Sequence, residues 1–190
     1  MARKPRLGTC HICRKHTKLS FEHVPPRAAF NDCPAVSKQI SELINKQPDN
    51  YFEEKGKKSQ RGLGAYTLCE ACNNNTGGWY GTAFAEWAHQ GMDILEHAYR
   101  TPQLYYHFRI FPLRVMKQII CMFFSITDDL FAWNHPDLVE FVLNKNQRHL
   151  NPDIRIFSYY NVGPHGRYIG GTSIESMRPD KMNRDTLEAE

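Results

Sequence analysis

Long apolar runs are missing from this chain. Its most apolar stretch, Ile119 to Phe124, is far short of the roughly 20 residues that a helix needs to cross a bilayer. The N-terminus is basic, but no apolar segment of a secretory leader follows it. Both absences predict a protein of the reducing cytoplasm with no membrane partner, where cysteines seldom pair as disulfides. Internal repeats and low-complexity tracts are lacking too, which excludes solenoids and disordered linkers. Acids are absent ahead of Glu22, whereas Arg3, Lys4, Arg6, Arg14, Lys15 and Lys18 crowd the same stretch.

What is present describes an ordinary globular chain. The 190 residues are 41% hydrophobic and 23% charged, with a net charge of only +4. Aromatics at 12% supply material for a core. A second basic cluster, Lys55, Lys57, Lys58 and Arg61, precedes a cysteine pair. Such clusters suit a polyanion, because each phosphate contact releases condensed counterions. On charge alone, solvated loops are the simpler account.

Four of the six cysteines form two knuckles, Cys10-x-x-Cys13 and Cys69-x-x-Cys72. One pair alone fits a redox dithiol. Two pairs in a reducing compartment predict a tetrahedral structural zinc site instead. The long loop between them is compatible, since closure entropy grows slowly with length. Cys121 falls in an apolar helix pattern and reads as core. Cys33 reads as a free thiol in the connection. His11 and His16 stand near the first knuckle, but four thiolates leave them no ligand role.

The texture of the chain changes near Gly81. Before it, Pro25-Pro26, Pro34, Pro48, Gly62, Gly64, Gly77-Gly78 and Gly81 suggest short strands and loops around a metal. Val36, Ile40, Leu43 and Ile44 recur at helical spacing, predicting a short helix between Ala35 and Lys46. After Gly81, Thr82 is placed to cap a helix running to about Tyr99. Further helices are expected near Leu113 to Ser125, buried on most sides, and from Pro136, where proline suits a first turn. Ile154 to Tyr160 reads as a strand, Val162 to Gly166 as a turn, and Arg167 to Ile169 as the return strand. The chain thus divides into residues 1–81 and 82–190, and the tail from Arg178 to Glu190 reads as mobile.

Two short pieces flank the knuckles: Leu19-Ser-Phe-Glu-His-Val-Pro-Pro-Arg27, and Asn73 directly after the last cysteine. Zinc closure draws them together, gathering a carboxylate, an imidazole and an amide oxygen. That inventory suits a hard divalent cation plus a general base. Taken singly, each has a bland alternative. His23 can be a satisfied structural histidine, Glu22 a partner for Arg27, and Asn73 a cap.

Glu22-His23 followed by Val24-Pro25, with CxxC before it and CxxCN after it, resembles the HNH, or ββα-metal, endonuclease family. Within it, the pattern is similar to the zinc-stapled branch that includes recombination endonuclease VII. The resemblance covers roughly residues 10 to 81. It implies an α+β fold: a zinc-bound ββα-metal module, followed here by a mainly helical region with a C-terminal β-hairpin. It also implies hydrolysis of DNA phosphodiesters, leaving a 5′ phosphate. On this likeness His23 is the general base, Glu22 and Asn73 hold the catalytic Mg²⁺ or Mn²⁺, and Cys10, Cys13, Cys69 and Cys72 hold zinc. Arg27 is a candidate phosphate clamp.

The implied partner is DNA, taken as double-stranded, in phage defence, recombination or a mobile element, with a homodimer or a partner protein as further options. Two departures stand out. Neighbours on a flat strand face opposite ways, so Glu22 and His23 can serve one phosphate only if the strand bulges or ends there. The family also often places a further carboxylate or histidine where this chain has Asn74, Asn75 and Thr76, so that role is vacant or filled from elsewhere. A non-catalytic zinc module binding nucleic acid or protein is the alternative. Residues 82–190 carry no catalytic signature; Tyr105-Tyr106-His107 and Tyr159-Tyr160 could stack on bases but equally serve as core. This second part is expected to pack on the first, position DNA or form a dimer.

Overall fold

The computed structural model describes residues 5–39, 57–97, 105–158, 166–170 and 173–177. It is a mixed α and β architecture with two small antiparallel sheets and a helical layer. The first sheet has the order β1–β2–β5, with β1 at Leu7–Thr9, β2 at His16–His23 and β5 at Gly64–Cys69. The second has the order β4–β3–β7–β6, from Lys57–Ser59, Ala35–Gln39, Ser173–Met177 and Gly166–Gly170. Among the described residues no helix is long and apolar enough to cross a membrane.

Strand β5 ends at Cys69 and runs straight into α1, Glu70–Thr76. Cys69 is extended, and its sulfur accepts from the Cys72 amide, capping the helix start. A π-helical turn, Gly77–Gly81, then leads into α2, Thr82–His97. Gly77 and Thr82 both have right-handed helical angles, so the helix is continuous from Glu70 to His97. Thr82 therefore lies inside a helix and does not cap one. Gly77, Gly78 and Gly81, expected to mark turns, fall inside this helical run instead.

Helix α3, Pro112–Ile126, crosses this layer, followed by α4, Leu130–Asn134, and α5, Pro136–Leu143. Proline opens both α3 and α5, where its missing N–H is no loss. The main core joins Ile12, Leu19 and Leu68 of the first sheet to Tyr80, Ile120, Phe124, Phe141 and Val142. It thus draws on residues from both sides of Gly81. Each fully buried large side chain contributes about 1.5–3 kcal/mol of hydrophobic stabilisation.

The carbonyls that end α5 are met by polar groups from this layer. The Tyr80 hydroxyl donates to Val142 O at 2.9 Å, and the buried Lys117 ammonium donates to Asn144 O at 2.6 Å. Lys117 also lies over the Tyr80 and Phe141 rings.

Two expected elements differ. Ala35–Gln39 is a strand, not the start of a helix: it pairs with both β4 and β7, and two ladders outweigh weak local periodicity. The remainder of that run, with Ile40, Leu43 and Ile44, lies outside the described residues. Residues 154–158 form no ladder; Ile154 and Ile156 instead pack against the main core. The hairpin lies further along, where Arg167–Ile169 falls in β6 and pairs with β7. Tyr159, Tyr160, the expected turn at 162–165 and the tail from 178 lie outside the described residues.

Candidate metal centre and adjoining cleft

The first knuckle turns tightly after β1. Cys10 N donates to Lys15 O, Arg14 N donates to Cys10 O, and Arg14 takes a left-handed φ of 61°. The second knuckle is the β5–α1 junction. Together they bring the sulfurs of Cys10, Cys13, Cys69 and Cys72 within 4.8 Å of one another. The Cys13 and Cys69 sulfurs are 3.8 Å apart, which is about the edge of a tetrahedron with zinc–sulfur bonds of roughly 2.3 Å. None of the six cysteines is in a disulfide. The cluster can hold a zinc ion.

A hydrogen bond from the Cys72 thiol pulls the Cys10 thiol well below its ordinary range. The same contact pushes Cys72 up. His11 is not part of the gathered ligand group; its Nδ1 meets Phe124 O at 3.0 Å. Arg14 stacks 3.9 Å over Trp133 and Arg6 4.2 Å over Tyr66, so part of the basic N-terminal cluster is bound to aromatic faces. Cys33, expected to be a thiol in the connection, is buried.

Strand β2 runs from this cluster to a cleft of about 200 Å³. Leu19 and Ser20 pair with Cys69 and Leu68, but Glu22 and His23 pair with Ala65 and Gly64. The register slips by one residue between Ser20 and Glu22. The extra residue is on β5, where Tyr66 and Thr67 stand opposite Phe21, and a bulge of this kind increases the local twist of the pair. Glu22 and His23, adjacent in sequence, both line the cleft, along with Phe21, Arg27, Asn73 and Gln118. Gly64 permits the close approach: a Cβ there would stand 2.1 Å from Glu22 O.

Asn73 sits at the start of the long helix. Its amide nitrogen donates to Ser20 Oγ at 3.0 Å and Phe21 O at 3.2 Å. Both contacts hold the NH₂ group against β2 and leave Oδ1 available. Glu22 is 6% exposed and accepts from the Ser125 hydroxyl at 2.6 Å. This hydroxyl, not Arg27, meets its carboxylate. Burial raises the Glu22 pKa from 4.5 to about 7, against the lowering effect of Ser125.

His23 is half-buried, edge-on to Phe21, with Nε2 at 2.9 Å from Arg61 O. A carbonyl only accepts, so Nε2 carries the proton and Nδ1 keeps its lone pair. Desolvation lowers the pKa of His23, and the charges of Arg27 and Arg61 lower it further.

Three contributors escaped sequence reasoning. Asn31, fully buried, donates to Pro25 O and Leu63 O and accepts from Leu63 N, clamping the end of β2 to the start of β5. Ser125 and Gln118 arrive from α3, more than 90 residues beyond β2. Their signal was a polar residue within a helix expected to be buried, since such a group requires a partner. The loop after β2 is also tied to α2, where His89 Nε2 meets Ala28 O at 2.7 Å and Phe30 packs on the His89 ring.

No known protein family matches the chain, and comparison with curated proteins and with solved structures likewise returns no match.

Proposed function

We propose that the chain is an endonuclease of the HNH, or ββα-metal, type that hydrolyses DNA phosphodiester bonds. One observation carries the reading: Glu22, His23, Arg27 and Asn73, singled out from sequence, line a single cleft beside the four-cysteine cluster. The antiparallel pair β2–β5 followed by α1 supports the same assignment.

The donor set fits a hard divalent cation. The Asn73 amide nitrogen is held by two oxygens, so its oxygen is the free end, and the Glu22 carboxylate retains an oxygen beyond the one that Ser125 engages. Glu22 and Asn73 would hold Mg²⁺ or Mn²⁺, which when bound would supply charge neutralisation at the scissile phosphate and at the departing 3′ oxygen.

The remaining work falls to the chain's own side chains. With Nε2–H donated to Arg61 O, Nδ1 of His23 accepts the proton of a water that attacks phosphorus. The depressed pKa keeps the ring neutral, and so competent as a base, at physiological pH. Arg27 lies on the cleft wall, placed to grip a non-bridging phosphate oxygen.

The test is plasmid nicking with Mg²⁺ or Mn²⁺. Wild type is expected to cut. His23→Ala is expected to lose at least about 100-fold in rate while retaining zinc and DNA binding. A wild type that binds DNA yet cuts nothing with any divalent ion favours the second reading, a non-catalytic zinc module, and sinks the first.

A further inference from the structure

Helix α3 places an amide in the same cleft. Gln118 is 2% exposed, yet its Oε1 is buried without a hydrogen-bond partner among the described residues. An unmet buried acceptor typically costs about 1–3 kcal/mol, and native structures keep few of them. This one lines the cleft that also contains Glu22 and Asn73. Seven residues further along, two turns on the same face of α3, Ser125 holds the Glu22 carboxylate. One face of α3 thus addresses the metal side of the cleft twice.

The floor in front of Oε1 is kept open. A Cβ on Gly81 would touch only Gln118 Oε1, at 4.0 Å, and one on Gly77 would meet nothing within 4 Å. Asn73, Gly77 and Gly81 recur every fourth residue along the helix. The face that presents the Asn73 amide therefore carries no side chain where it passes Gln118.

We propose that Gln118 Oε1 is a third protein ligand for the divalent cation, beside Glu22 and Asn73. It supplies from α3 the oxygen that Asn74, Asn75 and Thr76 do not. Three neutral or singly charged oxygens plus water form an ordinary environment for Mg²⁺ or Mn²⁺. The proposal rests on the metal site of the nuclease reading, but not on cleavage.

The experiment titrates Mn²⁺ into the full-length, zinc-loaded chain, reading free Mn²⁺ by electron paramagnetic resonance, with melting temperature recorded before Mn²⁺ is added. Wild type is expected to bind one Mn²⁺. Gln118→Leu should weaken that binding about tenfold or more, while the Mn²⁺-free melting temperature stays level or rises, because an unmet acceptor has gone. Gln118→Glu should restore or exceed wild-type affinity. A merely structural glutamine predicts the opposite pair: a lower melting temperature and unchanged affinity.

Affinity within twofold of wild type in Gln118→Leu, with binding lost in Asn73→Ala, overturns the proposal while the nuclease reading survives. Mn²⁺ binding that depends on all three residues in a protein that cuts no nucleic acid upholds the proposal and removes the nuclease reading. No Mn²⁺ binding by wild type ends both.

Discussion

The Ser125 hydroxyl donates to the Glu22 carboxylate at 2.6 Å across 103 positions of sequence. The contact fastens α3 to the end of β2, opposite the bulge in β5, and keeps an acid in a buried place. Burial is the larger influence on that acid, which is why its pKa climbs to about 7 despite the hydrogen bond.

A pH-dependent stability follows. Between about 4.5 and 7 the folded state retains the Glu22 proton and the unfolded chain has released it. The contribution is therefore complete below pH 4.5 and is lost as pH rises through 7. In zinc-loaded protein without Mg²⁺ or Mn²⁺, Glu22→Gln should melt close to wild type at pH 5 and higher at pH 8. The gain should be on the order of 3 kcal/mol, or about 5–10 °C. Calorimetry at the two pH values checks this, and an equal effect at both would refute it.

Removal of zinc should unfold much of the molecule. The cluster unites β1, β2, β5 and α1, and structural zinc contributes on the order of 10 kcal/mol in small peptides. Purified protein should release one zinc per chain to a chromogenic chelator, and Cys69→Ser should bind less than a tenth of that. Circular dichroism after chelation should show lost structure. Native protein whose thiols all react at once with a disulfide reagent, without releasing metal, would contradict the site.

Asn31→Ala should destabilise by about 2–4 kcal/mol, because it orphans buried groups on Pro25 and Leu63 together. Gly62→Ala should do at least as much damage. Gly62 has a left-handed φ of 77°, and a Cβ there would stand 2.1 Å from Asn31 O. Denaturant unfolding measures both. A loss under 0.5 kcal/mol for Asn31→Ala would show that the clamp is dispensable.

The cysteine spacing made the four-cysteine cluster legible, because ligand spacing is a local signal. Glu22, His23, Arg27 and Asn73 were legible as candidates for the same reason, each lying within a few residues of a knuckle. The bulge between Ser20 and Glu22 was foreseen only as a condition, since register depends on which residues stand opposite. Helix α3 was visible as a buried helix, but nothing local tells which buried polar residue meets which strand. Ser125 and Gln118 were therefore out of reach. The strand at Ala35–Gln39 was misread because its identity comes from partners rather than from its own period. Asn31 was missed for a related reason: an isolated asparagine in a loop becomes a clamp only once both arms are known.

The π-helical turn at Gly77–Gly81 sets a phase. An additional residue in a helical turn rotates everything downstream by about 100°, so the knuckle end and the α2 end of one rod present independently aimed faces. Cutting a single residue from this turn would leave the sulfur cage intact and swing Phe84 and its neighbours out of their pocket against Val115 and Ala29. The turn works as a coupling joint, by which one rigid shaft serves both the four sulfurs at its head and the helical layer along its length.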